Sequence, residues 1–269
     1  MAKSRVPLSF DVIGSREKAV AIVHIPEELK GREKDIAYSI MEKNKRVKSV
    51  LEKLGEREGK FRLRKYRLLV GDEDMEVIHK EYGYMLKLDP QKVYFSPREA
   101  TERQRIASQV KDGEVVIVMF SGVAPYAIAI AKNSGVEKII TVEINPVAVS
   151  YARANIRMNK LSQKIVVVEG DVRTVCEQWY EVCDRVVMPL PKGAGNFLDI
   201  AVKCVKPTGG IIHFYSWGRK PDLFEDAELE IHNGLAKMDR KYEIISRRVV
   251  LPYSPATYKI CIEFKVAAR

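Results

Sequence analysis

Three runs of apolar residues between positions 115 and 171 constrain the fold of this 269-residue chain more than anything else in it. They read VVIVMF before Ser121-Gly122, IITVEI before Asn145-Pro146, and KIVVVEGD ending at Asp171. Each run stays apolar instead of alternating, the pattern of strands in a parallel sheet covered on both faces. The segments between them, PYAIAIAK and PVAVSYARANIRMNK, carry helical patterns. Strand and helix in this order form a βαβαβ unit and predict an α/β domain.

The rest of the chain is long enough for a second, smaller domain. Residues 10 to 88 read as short strands around one helix: DVIG, KAVAIVHI, the helical REKDIAYSIMEKNKR, SVLEKL, GKFRLRKYRLLV and a hairpin near Glu81-Tyr82-Gly83-Tyr84. The expected division is therefore a small α+β domain over 1–88 and a Rossmann-like α/β domain over 89–269. Over Phe61 to Val70 the period of two puts Arg62 and Arg64 on one strand face and Phe61, Leu63 and Lys65 on the other. Ser96-Pro97-Arg98-Glu99 has the form of a capping box, so a helix is expected to start there and run through ATERQRIASQV. On that helix Arg98 with Glu102 and Glu99 with Arg103 are four apart, which by pattern alone predicts weak exposed ion pairs. After Asp171 come DRVVMPLP, the helical GNFLDIAVKCVK, the strand GGIIHFYSW and a helical stretch from about Asp222 to Arg240. The tail YEIISRRVVLPYSPATYKICIEFKV reads as an antiparallel pair closing an otherwise parallel sheet.

A net charge of +10 and a pI near 9.3 favour a polyanionic partner. The N-terminus MAKSRVPLSF lacks the apolar stretch of a signal peptide, and no later run is long enough to span a bilayer, so a soluble intracellular protein is expected. Cys176, Cys183, Cys204 and Cys261 lack paired ligand spacing and fall mostly in core-like runs, as reduced buried thiols do. His24, His79, His213 and His232 are scattered, and no metal site is visible.

Ligands of open α/β sheets bind beyond the carboxyl ends of the strands. Ser121, Gly122, Val123, Ala124 and Pro125 occupy that place after the first strand, where Gly122 lets backbone approach a ligand. Glu143 ends the second strand and can accept from two ribose hydroxyls; Asp171 ends the third and can accept from an adenine amino group. Three glycines in G-x-G-x-x-G spacing, which a pyrophosphate needs at a helix N-terminus, are replaced here by S-G-V-A-P-Y. An adenosine without phosphate fits better, and S-adenosyl-L-methionine is such a cofactor. The candidate cofactor contacts around these strand tips are Phe120, Ser121, Gly122, Ala124, Glu143, Ile144, Asp171, Val172 and Pro189.

Taken together, FRLR, IHKEYGYMLKLDPQKVYFSPREATERQR, MFSGVAPYAI, EINPVAVSYARANIRMNK, GDVR and MPLP resemble the archaeal tRNA guanosine-37 methyltransferases and their wyosine-pathway relatives. The resemblance spans nearly the whole chain, and VYFSPREATER is its most specific part. It implies a class I S-adenosylmethionine-dependent methyltransferase domain behind the small α+β domain, in a form without the extra N-terminal domain by which some members grip tRNA. It further implies the anticodon loop of tRNA, at position 37, as substrate, with no membrane or metal. Oligomeric state is open. Guanine N1 carries a proton and a delocalised lone pair, so methylating it needs a base and a cation near the carbonyl oxygen. By the same resemblance Glu102 matches the general base, Arg62 the carbonyl-stabilising arginine, Tyr94 an aromatic residue at the target base and Arg103 a cofactor contact. Arg64, Arg98 and Pro191 match substrate or tRNA contacts.

Two departures stand out. Where these families commonly carry an acidic residue before Met-Phe, this chain has Val118; where the N1-methylating members have Asn-Leu-Pro, it reads Pro189-Leu190-Pro191. Proline offers no side-chain amide to base or cofactor. N1 methylation of guanosine is thus the leading expectation. Methylation of carbon 7 of the tricyclic wyosine precursor 4-demethylwyosine follows it, then aminocarboxypropyl transfer, and, from another class, a non-catalytic tRNA-binding subunit.

Overall fold

A computed structural model describes residues 9–236, 238 and 240–269. The expectation about a leader falls mainly on residues 1–8, outside the described residues. The chain forms two compact units that divide between Arg98 and Glu99. Residues 89–98, beyond the expected break after 88, stay with the first unit for visible reasons. The Phe95 ring packs edge-on to His79 at 5.1 Å, the Arg57 guanidinium lies 4.1 Å over the Tyr94 ring, and Arg98 pairs with Asp11.

The first unit is built on a four-stranded sheet in the order β1 (Phe10–Gly14), β2 (Ala19–Val23), β3 (Val47–Glu58) and β4 (Leu63–Gly71). β2 is buried along its length, and helix α1 (Glu33–Lys43) makes the crossover to the parallel β3. Ala19, Ala21 and Val23 alternate onto the face that α1 covers with Ala37 and Ile40, forming a small core. A hairpin of β5 (Val77–Glu81) and β6 (Tyr84–Leu88) turns through Tyr82 and Gly83, both with positive φ (41° and 81°), the geometry that matches strand twist in a two-residue turn.

One expectation fails here. Arg62 is not in a strand: β4 begins at Leu63, and Arg62 closes the turn after β3, donating its amide to the Gly59 carbonyl at 3.2 Å with φ at 54°. Pairing of Glu58 with Leu63 leaves residues 59–62 for the turn, so Arg62 and Arg64 do not share a strand face by the alternation rule.

The second unit carries a seven-stranded sheet. Its parallel strands are β7 (Val115–Met119), β8 (Lys138–Glu143), β9 (Ile165–Glu169), β10 (Arg185–Met188) and β11 (Gly210–Arg219). β12 (Tyr242–Ser254) and β13 (Thr257–Val266) add the antiparallel pair, in the order β12-β13-β11-β10-β7-β8-β9. Helices α3 (Pro125–Asn133), α4 (Pro146–Met158), α5 (Val172–Val175), α6 (Leu198–Cys204) and α7 (Glu225–Ala236) fill the connections. This is the expected mainly parallel sheet with its antiparallel ending. The order reverses between β7 and β10, which places the switch point at the Ser121 loop. Helix α2 (Ala100–Gln109) starts later than its capping pattern suggests, after a 3-10 turn over Pro97–Glu99. Among the described residues no helix is long and apolar enough to cross a membrane.

Candidate active site

The loop after β7 is bent sharply: Phe120, Gly122 and Ala124 all take left-handed φ (56°, 55° and 66°). Only at Gly122 is that conformation free of a Cβ cost, and the bend exposes its amide, which donates to Glu143 Oε2 at 2.7 Å. Glu143 Oε1 accepts from the amides of Ile144 (2.9 Å) and Asn145 (2.8 Å). A carboxylate has about four acceptor sites, so three amides leave one for a ligand hydroxyl, fewer than the two expected from sequence. Burial pushes the Glu143 carboxyl up, against the pull of the amides of Asn145, Gly122 and Ile144, and the net direction is upward.

Beside it the Ser121 hydroxyl is buried with no hydrogen-bond partner. Buried polar atoms in native folds almost always have one, so this orphan at a strand tip is the mark of a group the protein receives from outside. Asn155 on α4, which no motif singled out, donates to the Val123 carbonyl at 3.1 Å and pins the loop from behind. Asp171 caps α5 by accepting from the Arg173 amide at 3.0 Å, with Val172 buried beside it. Phe120 packs edge-on against Phe197 at 5.0 Å, and the Arg173 guanidinium lies 4.4 Å over the other ring's π-face, that of Phe197. Pro189 and Pro191 follow β10 and are half-buried. Acceptors and a hydroxyl dominate the three strand tips, which suits the hydroxyls and amine of a nucleoside rather than a diphosphate. The residues present therefore fit S-adenosylmethionine.

Glu102 is not a surface charge. It is 5% exposed on α2, and its Oε1 accepts from Arg105 Nη2 and from the Tyr215 hydroxyl, both at 2.6 Å, while Oε2 accepts from Arg105 Nε at 2.8 Å. The exposed i,i+4 pairing expected for it gives way to a bidentate i,i+3 arginine and a tyrosine from β11. Three donors again leave one acceptor site, on Oε2, where Arg248 Nε stands 3.6 Å away. A carboxylate fixed in position with one free lone pair is suited to taking one proton. Arg103, one residue on, is buried at 1% exposure. Glu99 is also buried and accepts from Lys259 Nζ at 2.8 Å and from the Tyr126 hydroxyl at 3.3 Å.

Behind Glu102 runs a network that no spacing in the sequence announced. Arg105 also bonds Glu263 on β13, whose carboxylate lies 3.5 Å from His213 Nδ1; His213 Nε2 meets Arg185 at 2.7 Å, and Arg185 is paired to Glu114. Burial pushes the Glu263 carboxyl up, but His213 and Arg105 outweigh it and hold it down to about 2. Burial pushes His213 down, and although Glu263 opposes this, Arg185 adds to it. Among the described residues His213, Cys261 and Glu263 form the cluster closest to a metal site, with ligand atoms within 4.8 Å of one another. Two guanidiniums against that cluster supply its positive charge, which disfavours a metal cation there. All four cysteines are free and buried, and burial pushes the Cys183 thiol up to about 12.

In the first unit Tyr94 lies under Arg57, Arg64 Nε is buried without a partner, and Arg98 bonds Asp11 and the Ser9 hydroxyl. Arg98, a candidate tRNA contact, is therefore engaged within its own unit.

The geometry matches known proteins closely. A model of the TRM5/TYW2 methyltransferase domain matches residues 77–245, and one of the TYW2 N-terminal domain matches residues 2–74. The chain belongs to the TRM5/TYW2 methyltransferase family. Among TRM5/TYW2 members it is 41% identical over 263 residues to the tRNA (guanine(37)-N(1))-methyltransferase Trm5b of Pyrococcus abyssi, covering 97% of this chain and 76% of the relative. It superposes on aTrm5 solved in complex with tRNALeu with a TM-score of 0.83 at 36% identity, over 97% of this chain and 72% of that one. Methanocaldococcus jannaschii TYW2, solved in complex with AdoMet, gives a TM-score of 0.72 at 25% identity, over 97% of this chain and 100% of that one. The TRM5/TYW2 domain match begins at β5, so the family's methyltransferase module includes the hairpin and the segment bearing Tyr94.

Proposed function

We propose that this chain transfers a methyl group from S-adenosylmethionine to the purine at position 37 of tRNA, with guanosine N1 as the acceptor. The observation that carries this reading is Glu102: a buried carboxylate held by Arg105 and Tyr215 with one acceptor site left. When bound, the cofactor supplies an electrophilic methyl on sulfur. Glu102 takes the N1 proton as the nitrogen lone pair becomes available, and Arg62 stabilises the charge that develops on the carbonyl oxygen. Ser121, the Gly122 loop, Glu143 and Asp171 hold the adenosine end. Tyr94, backed by Arg57, offers its ring to the base, which must leave the anticodon-loop stack to be reached. Basic residues of the first unit contact RNA and Arg62 serves the reaction, while the second unit supplies the cofactor contacts and the base.

Two observations favour a second acceptor. Pro189 stands where N1-methylating relatives carry asparagine, and the N-terminal match is to the TYW2 type, so carbon 7 of 4-demethylwyosine at the same position is the alternative. Incubation with labelled cofactor and an unmodified transcript bearing guanosine 37, followed by nucleoside mass spectrometry, decides. Labelled 1-methylguanosine is the expected product; label only in RNA already carrying the tricyclic base assigns the alternative, and label in neither refutes both.

A further inference from the structure

Tyr215, which holds Glu102, has a neighbour on the same face of β11 that the reaction does not use. Trp217 lies two residues on toward the carboxyl end of the strand, hence about 7 Å further along that face. Its half-buried ring lies against that of Tyr253 of β12, with centroids 4.5 Å apart and planes tilted by 46°, and Tyr253 is 54% exposed. The rows of the sheet are continuous here: Tyr215 pairs with Cys261 and through it with Arg248, and Trp217 pairs with Lys259. Positive charge surrounds the pair. Arg248, within 3.6 Å of Glu102, is half exposed; Arg219 and Lys220 are exposed at the end of β11, with Lys220 Nζ 5.7 Å from the Tyr258 ring centroid.

We propose that Trp217 and Tyr253 form a stacking platform for an unpaired nucleotide adjacent to the target base, with Arg248, Arg219 and Lys220 along its backbone. The inference rests on the reading of the chain as a methyltransferase of an RNA base. A base whose proton reaches Glu102 brings its neighbour in the strand within one nucleotide's span of Trp217, and solvent-accessible aromatics interleaved with cations are the surface that single-stranded RNA binds. The net charge of +10 is complementary to that partner. A continuous helix would keep its bases stacked on each other; an anticodon loop from which one base has been withdrawn leaves the next with a free face.

The chain has two tryptophans, so Trp179→Phe leaves Trp217 as the sole emitter. Titrating that variant with an anticodon stem-loop RNA is expected to quench its fluorescence, and an abasic residue at one of the two positions flanking the target is expected to abolish the quench. Trp217→Ala and Tyr253→Ala are each expected to weaken RNA binding about tenfold or more, with cofactor affinity and the single-turnover rate at saturating RNA within about threefold, and Trp217→Phe restores most of the affinity. RNA affinities within twofold of the parent for both alanine variants, or no quench, overturn the platform. Quenching that depends on protein concentration without RNA assigns the surface to a second copy and overturns it equally. Methyl transfer without quench removes the platform alone, whereas quench without transfer to any RNA removes the methyltransferase reading and leaves the platform.

Discussion

Replacing Glu102 with glutamine tests the centre of the mechanism with the least disturbance. Glutamine has the same shape, and with its carbonyl at the Oε1 position it keeps the bonds from Arg105 Nη2 and the Tyr215 hydroxyl. The amide NH2 then faces Arg105 Nε, so one charge-assisted bond of 2.8 Å is lost. That bond contributes about 1.5–3 kcal/mol. Arg105 still has Glu263, so its charge is not stranded and the cost stays below the roughly 3–5 kcal/mol of an unpaired buried ion. At about 2–4 °C per kcal/mol for a unit of this size, the melting temperature falls by about 3–12 °C. The rate is expected to fall much further. An amide has no basic lone pair for the N1 proton, and loss of a general base costs about 10²–10⁴-fold, which corresponds to roughly 3–5 kcal/mol in the barrier.

Single-turnover methylation at saturating RNA and cofactor measures the rate, calorimetry the cofactor affinity, and thermal unfolding the stability. The expected pattern is a rate loss above a hundredfold, cofactor affinity within threefold, and a cooperative transition at the reduced temperature. A rate within tenfold of the parent would falsify Glu102 as the base. A cofactor affinity that falls in step with the rate would instead make the Arg105–Glu102 pair a structural brace for the methyl-donor site.

Ser121→Ala removes a buried hydroxyl that has no partner in the protein, so stability is expected to stay level or rise while cofactor affinity drops about fivefold, the worth of one hydrogen bond. Unchanged affinity in calorimetry would take Ser121 out of the site. Glu263, held down to about 2 in the fold against an ordinary value of 4.5, gives stability that is fully present above pH 4.5 and lost as pH falls toward 2. The full difference is about 3 kcal/mol, so Glu263→Gln is expected to flatten acid unfolding in that window; a pH profile parallel to the parent's contradicts the assignment.

What could be read from the residues, and what could not, follows from how far apart the interacting groups lie in the chain. The βαβαβ core was legible because burial on both faces writes itself into contiguous runs, and the three strand tips follow from the runs. Arg62 falls outside the strand because alternation reveals a face only while the chain stays in a strand, and Gly59, the one turn residue in GKFRLR, does not mark that the turn runs on as far as Arg62. Glu99, in the 3-10 turn before α2, and Glu102, on α2, escape the pattern for a different reason. The i,i+4 rule describes an isolated helix, whereas Tyr215 lies 113 residues from Glu102 and Lys259 lies 160 from Glu99. A sign of this was nonetheless present in β13. Ile260, Ile262, Phe264 and Val266 mark one apolar face, and Lys259, Cys261 and Glu263 line the other, yet the strand lies between two others and both faces are buried. A buried strand face bearing a lysine and a glutamate must meet opposite charges, because unpaired ions there cost several kcal/mol each. α2 and the 3-10 turn that leads into it, with their mixed carboxylates and arginines, supply them: Glu99 for Lys259 and Arg105 for Glu263. The polar face of α2 therefore turns inward, and Glu102 is buried because the strand opposite it carries charge. The same packing that hid the candidate base from a local reading leaves it one open acceptor site.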